Sequence, residues 1–212
     1  MMPLPWIMVF LPWVGALLLL SFPRLRVAAA VNIGCAASSF LLAIALFTVP
    51  HGEQGWTRID ALNLPFVLLA AFVALTTAIF SAAMIAGEGF DHWRIRAYHA
   101  AFQVFLGAQY LALLSDNLGV LWVAIEIATL ASVLMVAVHR TPAAMEAAWK
   151  FFMICGFGIA LALFGTILLY SAAQALLDAE SGLSWAALKR VAARCDADTL
   201  NLAFVFLLVG YG

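Results

Sequence analysis

Charged residues are so sparse in this chain that the stretches between them already divide it. Asp, Glu, Lys and Arg are absent from Met1 to Pro23, from Val27 up to Glu53, from Ala61 to Gly87 and from Ala97 to Ser115. The run from Asn117 to His139 is broken once, at Glu126, and a sixth run covers Phe151 to Leu177. A bilayer core about 30 Å thick is crossed by roughly 20 residues of helix. A helix also satisfies its backbone hydrogen bonds internally, which lipid demands. With 67% hydrophobic and 10% charged residues and a mean hydropathy of +1.08, the chain is predicted to be an all-α integral membrane protein. The architecture expected is a polytopic helix bundle of six full transmembrane helices plus the start of a seventh.

The expected spans are 4–22, 28–49, 63–86, 97–115, 118–138 and 149–172, within a six-helix transmembrane bundle over 1–174. The apolar stretch 199–212 is too short to cross a bilayer and reads as a truncated seventh helix. Helix-ending residues mark the connections: Phe22-Pro23-Arg24, Pro50-His51-Gly52, Gly87-Glu88-Gly89, Ser115-Asp116-Asn117 and Thr141-Pro142. Their shortness predicts antiparallel neighbours. Segment 175–198 differs, because Leu183, Trp185, Leu188 and Val191 alternate with Lys189, Arg190 and Arg194 as in a short amphipathic helix lying on an outer membrane surface. Over the short loops, Arg24, Arg26, Arg94, Arg96 and Arg140 fall on one side and Arg58 on the other, which predicts an N-terminus on the outer, periplasmic side of a bacterial inner membrane. The first run has no basic stretch ahead of it, so it is expected to be a retained span and not a cleaved signal.

Small residues recur every fourth position at Ala70, Ala74, Ala78, Ala82 and Ala86, and again at Gly158, Ala162 and Gly165, as close helix packing in lipid requires. Trp6, Trp13, Trp56, Trp93, Trp149 and Trp185 fall near expected span ends, where an aromatic belt belongs.

Several functions are excluded by what the residues offer. A formal net charge of −1, with no basic cluster, argues against nucleic acid. Cys35, Cys155 and Cys195 are far apart and form neither a disulfide framework nor an iron–sulfur or zinc pattern. His92, His99 and His139 lie near one predicted end of the helices instead of at matched depth in facing helices, so no haem site is expected. No nucleophile set and no phosphate loop is present. No cofactor, no metal and no catalytic residue is therefore expected, and the partners expected are lipid and other membrane subunits.

Chemistry is left one strong candidate. Glu126 falls near the middle of the fifth run, where an ionisable group costs roughly 3 kcal/mol on insertion scales. It reads as a proton-carrying or ion-pairing residue, or else as a protonated glutamate bonded to a neighbouring helix for packing. Gly119, Trp122, Thr129 and Val133 share its helical face, so Thr129 stands where it can hydrogen-bond the carboxyl. Lys150 is either an access residue at the end of a proton path or the partner of Glu146, four residues earlier.

The segment Leu121-Trp122-Val123-Ala124-Ile125-Glu126-Ile127-Ala128-Thr129-Leu130-Ala131-Ser132, with His139-Arg140-Thr141, Glu146-Ala147-Ala148-Trp149-Lys150-Phe151-Phe152, Gly158-Ile159-Ala160-Leu161-Ala162-Leu163 and Phe204 to Gly212, resembles the antiporter-like subunits of complex I, Mrp antiporters and membrane-bound hydrogenases. The likeness is strongest to the F component of hydrogenase-4. The resemblance implies two inverted helix repeats and proton transfer along charged residues at the membrane midplane. Glu126 matches the family's fifth-helix glutamate. Its usual lysine partner belongs to the seventh helix and would follow Gly212, so the chain looks like the N-terminal half of such a subunit. A separate chain supplying the rest of the fold is then an expected partner. The alternative is a non-pumping structural or assembly subunit, or a truncated remnant.

Overall fold

The computed structural model describes residues 4–21, 25–178 and 181–212. The Phe22-Pro23-Arg24 turn lies outside the described residues, as do the side chains of Arg26 and Ala86. The chain forms α1 (Leu4–Ser21), α2 (Leu25–Leu46), a hairpin of β1 (Gly52–Gln54) and β2 (Thr57–Ile59), α3 (Asn63–Gly87), α4 (His92–Leu114), α5 (Leu118–Val136), α6 (Pro142–Ala173), α7 (Trp185–Val191) and α8 (Ala197–Tyr211).

Helix starts follow local side-chain chemistry. The first turn of a helix has unmatched N–H groups, which a preceding Asp, Asn, Ser or Thr oxygen accepts. Asp91 accepts from the Arg94 amide at 2.7 Å, Asn117 from the Gly119 and Val120 amides at 2.9 and 3.1 Å, and Thr141 from Ala144 at 3.1 Å. Ser184 and Asp196 do the same for α7 and α8. Thr141 and Pro142 place the start of α6 seven residues ahead of the expected span at 149, so this helix projects beyond its most apolar stretch. α4 likewise begins at His92 and not at 97.

Among the described residues, five helices are long and apolar enough to cross a membrane: Leu4–Ser21, Val27–Leu46, Asn63–Ile85, Leu118–His139 and Pro142–Ala173. α4 has the length but carries Arg94, Arg96, His99, Gln103 and Gln109. Its position explains the difference, because α1, α2, α3 and α5 all pack against it and most of its side chains from Ile95 to Leu114 are buried. A helix sheathed by other helices needs no lipid-like exterior. Among the described residues Tyr110 is the largest fully buried side chain, and Leu106 and Leu114 join Met8 of α1 and Val67 of α3 in the core around it.

α8 packs against α6 through small residues. A methyl carbon added at Gly158 would stand 3.0 Å from the Gly210 carbonyl oxygen, and one at Gly165 would stand 3.0 Å from that of Ala203. Ala162, between them, is fully buried. Backbones this close leave no room for a side chain. Gly165→Leu is therefore expected to lift α8 from α6, read as several-fold faster amide exchange over 203–211 with exchange in α1 unchanged. Equal exchange in both proteins would contradict this packing.

The hairpin was not foreseen from the sequence. Its register pairs Gly52 with Ile59, Glu53 with Arg58 and Gln54 with Thr57, and Gly55 takes the left-handed φ of 66° that the tight turn needs. It leads into α3 through Asp60, whose Oδ1 accepts from the amides of Leu62 and Asn63 at 2.9 and 2.8 Å while Arg58 pairs with Oδ2 at 2.8 Å. Burial opposes the charge on Asp60, but the Asn63 and Leu62 amides and the Arg58 guanidinium outweigh it and hold the carboxyl below the usual carboxylate range. Folded Asp60 is thus the stronger acid, so its stabilisation is complete above the unfolded value near 4 and is lost as pH falls through the lower folded value. The native protein should melt above Asp60→Asn at neutral pH and lose that lead in strong acid; a lead that persists in acid would be inconsistent with this role.

Candidate functional site

Glu126 is the ninth of the 19 residues of α5. At about 1.5 Å per residue it lies roughly 12 Å from one end of the helix and 15 Å from the other. Four residues before it, the Trp122 indole donates to the Ile159 carbonyl of α6 at 2.8 Å. Seven residues after it, Val133 lines an apolar groove against Ala148 and Phe152 of α6. Both neighbours share its helical face, so that face is the one turned toward α6. The antiparallel register that joins Trp122 to Ile159 sets Glu126 near the level of Cys155 and Gly156. The side chain is half-buried, and among the described residues its carboxyl makes no hydrogen bond and no ion pair.

Thr129 does not serve the carboxyl as expected. Its hydroxyl donates to the Ile125 carbonyl of its own helix at 2.9 Å, a common way for threonine to satisfy itself inside a helix. It lines a groove of about 500 Å³ with Leu121, Ile125, Gly158 and the Val209–Gly212 end of α8. Lys150 is not brought to Glu126 or to Thr129. Its ammonium is exposed and pairs with Glu146 at 2.5 Å. Ala148 and Phe152 line the α5 groove, and Lys150, two residues from each, leaves α6 on the far side.

Two polar constellations escaped the sequence analysis. At the hairpin end of the bundle, Asp116 is nearly buried, at 5% exposure. Its carboxylate accepts from the Ser184 hydroxyl at 2.5 Å and the Ala186 amide at 3.3 Å, with Arg58 at 3.9 Å. Its backbone bonds both ways, to Trp56 at 2.8 Å and to Trp185 at 2.7 Å. One residue thereby ties the hairpin, the α4–α5 turn and α7 together. Leu188 and Val191 of α7 pack with Ala173 beneath this knot, so the apolar face of the amphipathic segment is turned into the protein, while Trp185 remains exposed. At the opposite end, His139 faces Glu88 at 3.8 Å and packs edge-on against Phe90. The second constellation lies between α1, α2 and α4, where Asn32, Ser39, His99 and Gln103 are buried. Polar amides inside the apolar runs at Asn32 and Gln103 were its sequence signal.

No family model matches the chain. A curated relative does: "Hydrogenase-4 component F homolog" of Methylacidiphilum infernorum (isolate V4), 38% identical over 209 residues, 96% of this chain. The chain is homologous to this relative along nearly its whole length. It spans 44% of that relative's length. Two solved structures share the fold of this chain: a chain of the membrane-bound sulfane sulfur reductase, an archaeal respiratory membrane complex, with TM-score 0.82, 19% identity and 97% of the present chain covered, and a chain of respiratory complex I from Thermus thermophilus with bound aureothin, with TM-score 0.74, 20% identity and 98% covered. In each case the match takes in 43% of the solved chain. Apolar helices and this kinship make the chain an integral membrane protein.

Proposed function

We propose that the chain is the N-terminal part of a proton-translocating membrane subunit in a redox complex of the hydrogenase-4 or NADH-quinone oxidoreductase type, with Glu126 as its midplane proton carrier. The observation that carries this reading is a half-buried carboxyl at mid-helix without hydrogen bond or counter-charge among the described residues, in a chain homologous to that curated relative over 96% of its length. An ionisable group at such depth is costly, and it faces a protein neighbour or a water path when it is kept. The remaining helices of the subunit, as a separate polypeptide or as further chain, and other membrane subunits of the complex are the proposed partners. They would supply the cation that stands across from Glu126.

α4 is proposed as a sixth span, its polar residues sheathed by α1, α2, α3 and α5. The N-terminus is proposed to lie on the outer side of a bacterial inner membrane, since Arg94, Arg96 and Arg140 share the end of the bundle that holds Glu88 and His139. The decisive experiment is Glu126→Gln in the complete complex, with proton translocation measured against redox turnover.

A second reading, a scaffold that binds a neighbouring subunit without moving protons, is favoured by the exposed apolar face of α8 at Phe204, Val205, Leu208 and Val209. Poor assembly of Glu126→Gln with normal pumping by whatever complex forms would favour it over the first.

A further inference from the structure

Facing stripes of polar side chains run between α2 and α4, remote from α6. Asn32 and Ser39 on α2 and His99, Gln103 and Tyr110 on α4 are each at least nine-tenths buried. Asn32 and Ser39 are seven residues apart, as are Gln103 and Tyr110, and each pair meets across the helix interface. Gln103 Nε2 donates to Asn32 Oδ1 at 2.8 Å and to the Asn32 carbonyl at 3.1 Å, while the Ser39 and Tyr110 hydroxyls are neighbours. His99 stands one turn before Gln103 on the same face. Gly15 of α1 closes the third side, since a methyl carbon there would lie 2.7 Å from Cys35 Sγ and 3.7 Å from Gln103 Oε1.

Among the described residues, five buried atoms of this seam have no hydrogen-bond partner: Asn32 Nδ2, Gln103 Oε1 and His99 Nδ1 around the amide pair, and the Ser39 and Tyr110 hydroxyl oxygens farther along it. Buried polar atoms in folded proteins are matched by protein or by ordered water, because one left open forfeits the hydrogen bonds it made to solvent in the unfolded chain. Reversing the two amides does not help. Exchanging oxygen and nitrogen in both Asn32 and Gln103 keeps one bond between them and again leaves one donor and one acceptor open. A water molecule has the complementary set. It accepts from Asn32 Nδ2, donates to Gln103 Oε1, and has a second hydrogen for a ring nitrogen one helical turn away, about 5–6 Å between side-chain roots.

We infer that α1, α2 and α4 enclose a buried water-binding site between His99 and the Asn32–Gln103 pair, a hydrated polar relay separate from Glu126. Such water makes a deeply buried imidazole reachable by protons without opening the bundle.

Radiolytic hydroxyl labelling of the purified, folded protein in isotopically labelled water tests this, because radicals formed from bound water attack the side chains beside it. His99 is expected to be labelled several-fold faster than Phe102, a buried residue of similar intrinsic reactivity on the same helix. In the double variant Asn32→Leu, Gln103→Leu, the rate at His99 should fall to that of Phe102. His99 labelled no faster than Phe102 in the native protein would overturn the site. Unchanged labelling in a folded double variant would overturn the role of the amide pair.

Discussion

Replacing Asp116 by alanine should lower the melting temperature of the purified protein by roughly 5–10 °C, with the change visible in the fluorescence of Trp56 and Trp185. The carboxylate is nearly buried and accepts from Ser184 and Ala186 while facing Arg58. Hydrogen bonds to a charged acceptor are worth about 1.5–3 kcal/mol each, and the groups left behind lose their partner without regaining water. A total near 3 kcal/mol corresponds to a shift of that size in a protein of this length. Asp116→Asn keeps an acceptor for Ser184 and should fall between the two. Melting of Asp116→Ala equal to native would mean that the hairpin, the turn and α7 are held together by something else.

The second large effect concerns Glu126. Gln keeps the volume and hydrogen-bonding capacity of the side chain but cannot take up or release a proton at any accessible pH. In the complete complex Glu126→Gln should therefore abolish proton translocation by this subunit while the helices still assemble. Lys150→Ala is the contrasting variant. Its ammonium is exposed, pairs with Glu146 on its own helix and points away from the α5 face, and surface pairs of this kind contribute about 0.2–1 kcal/mol. It should leave translocation near native and cost little stability.

What could be read in the sequence and what could not divides along physical lines. Charge-free runs and helix-stopping residues are local signals. Asp91, Asn117, Thr141 and Asp196 each occupy the capping position that their chemistry favours. The start of α6 at Pro142 was missed because span length measures the lipid and not the helix, which begins where Thr141 caps it. α4 looks like an ordinary run when only charges are counted, yet its His, Gln and Tyr side chains are tolerated because other helices surround it. The hairpin and the Asp116 knot depend on partners 68 and 70 residues apart, at Ser184 and Ala186, which no window of sequence joins. The Asn32–Gln103 bond is non-local in the same way.

For the candidate site, the mid-helix position of Glu126 was legible because Asn117 caps α5 where the charge-free run begins. The behaviour of its companions was not. Thr129 had two acceptors in reach, its own backbone and the carboxyl, and the intrahelical carbonyl holds it. Lys150 likewise had a local partner four residues away, and the facing direction that separates it from Glu126 follows from which side of α6 meets α5.

The most direct measurement is proton translocation per redox turnover by the complete complex in sealed vesicles, native against Glu126→Gln, with subunit composition checked in both. Loss of the translocation due to this subunit, in a complex of unchanged composition, is the expected result. Unchanged translocation in a fully assembled Glu126→Gln complex would contradict the assignment of Glu126 as a proton carrier.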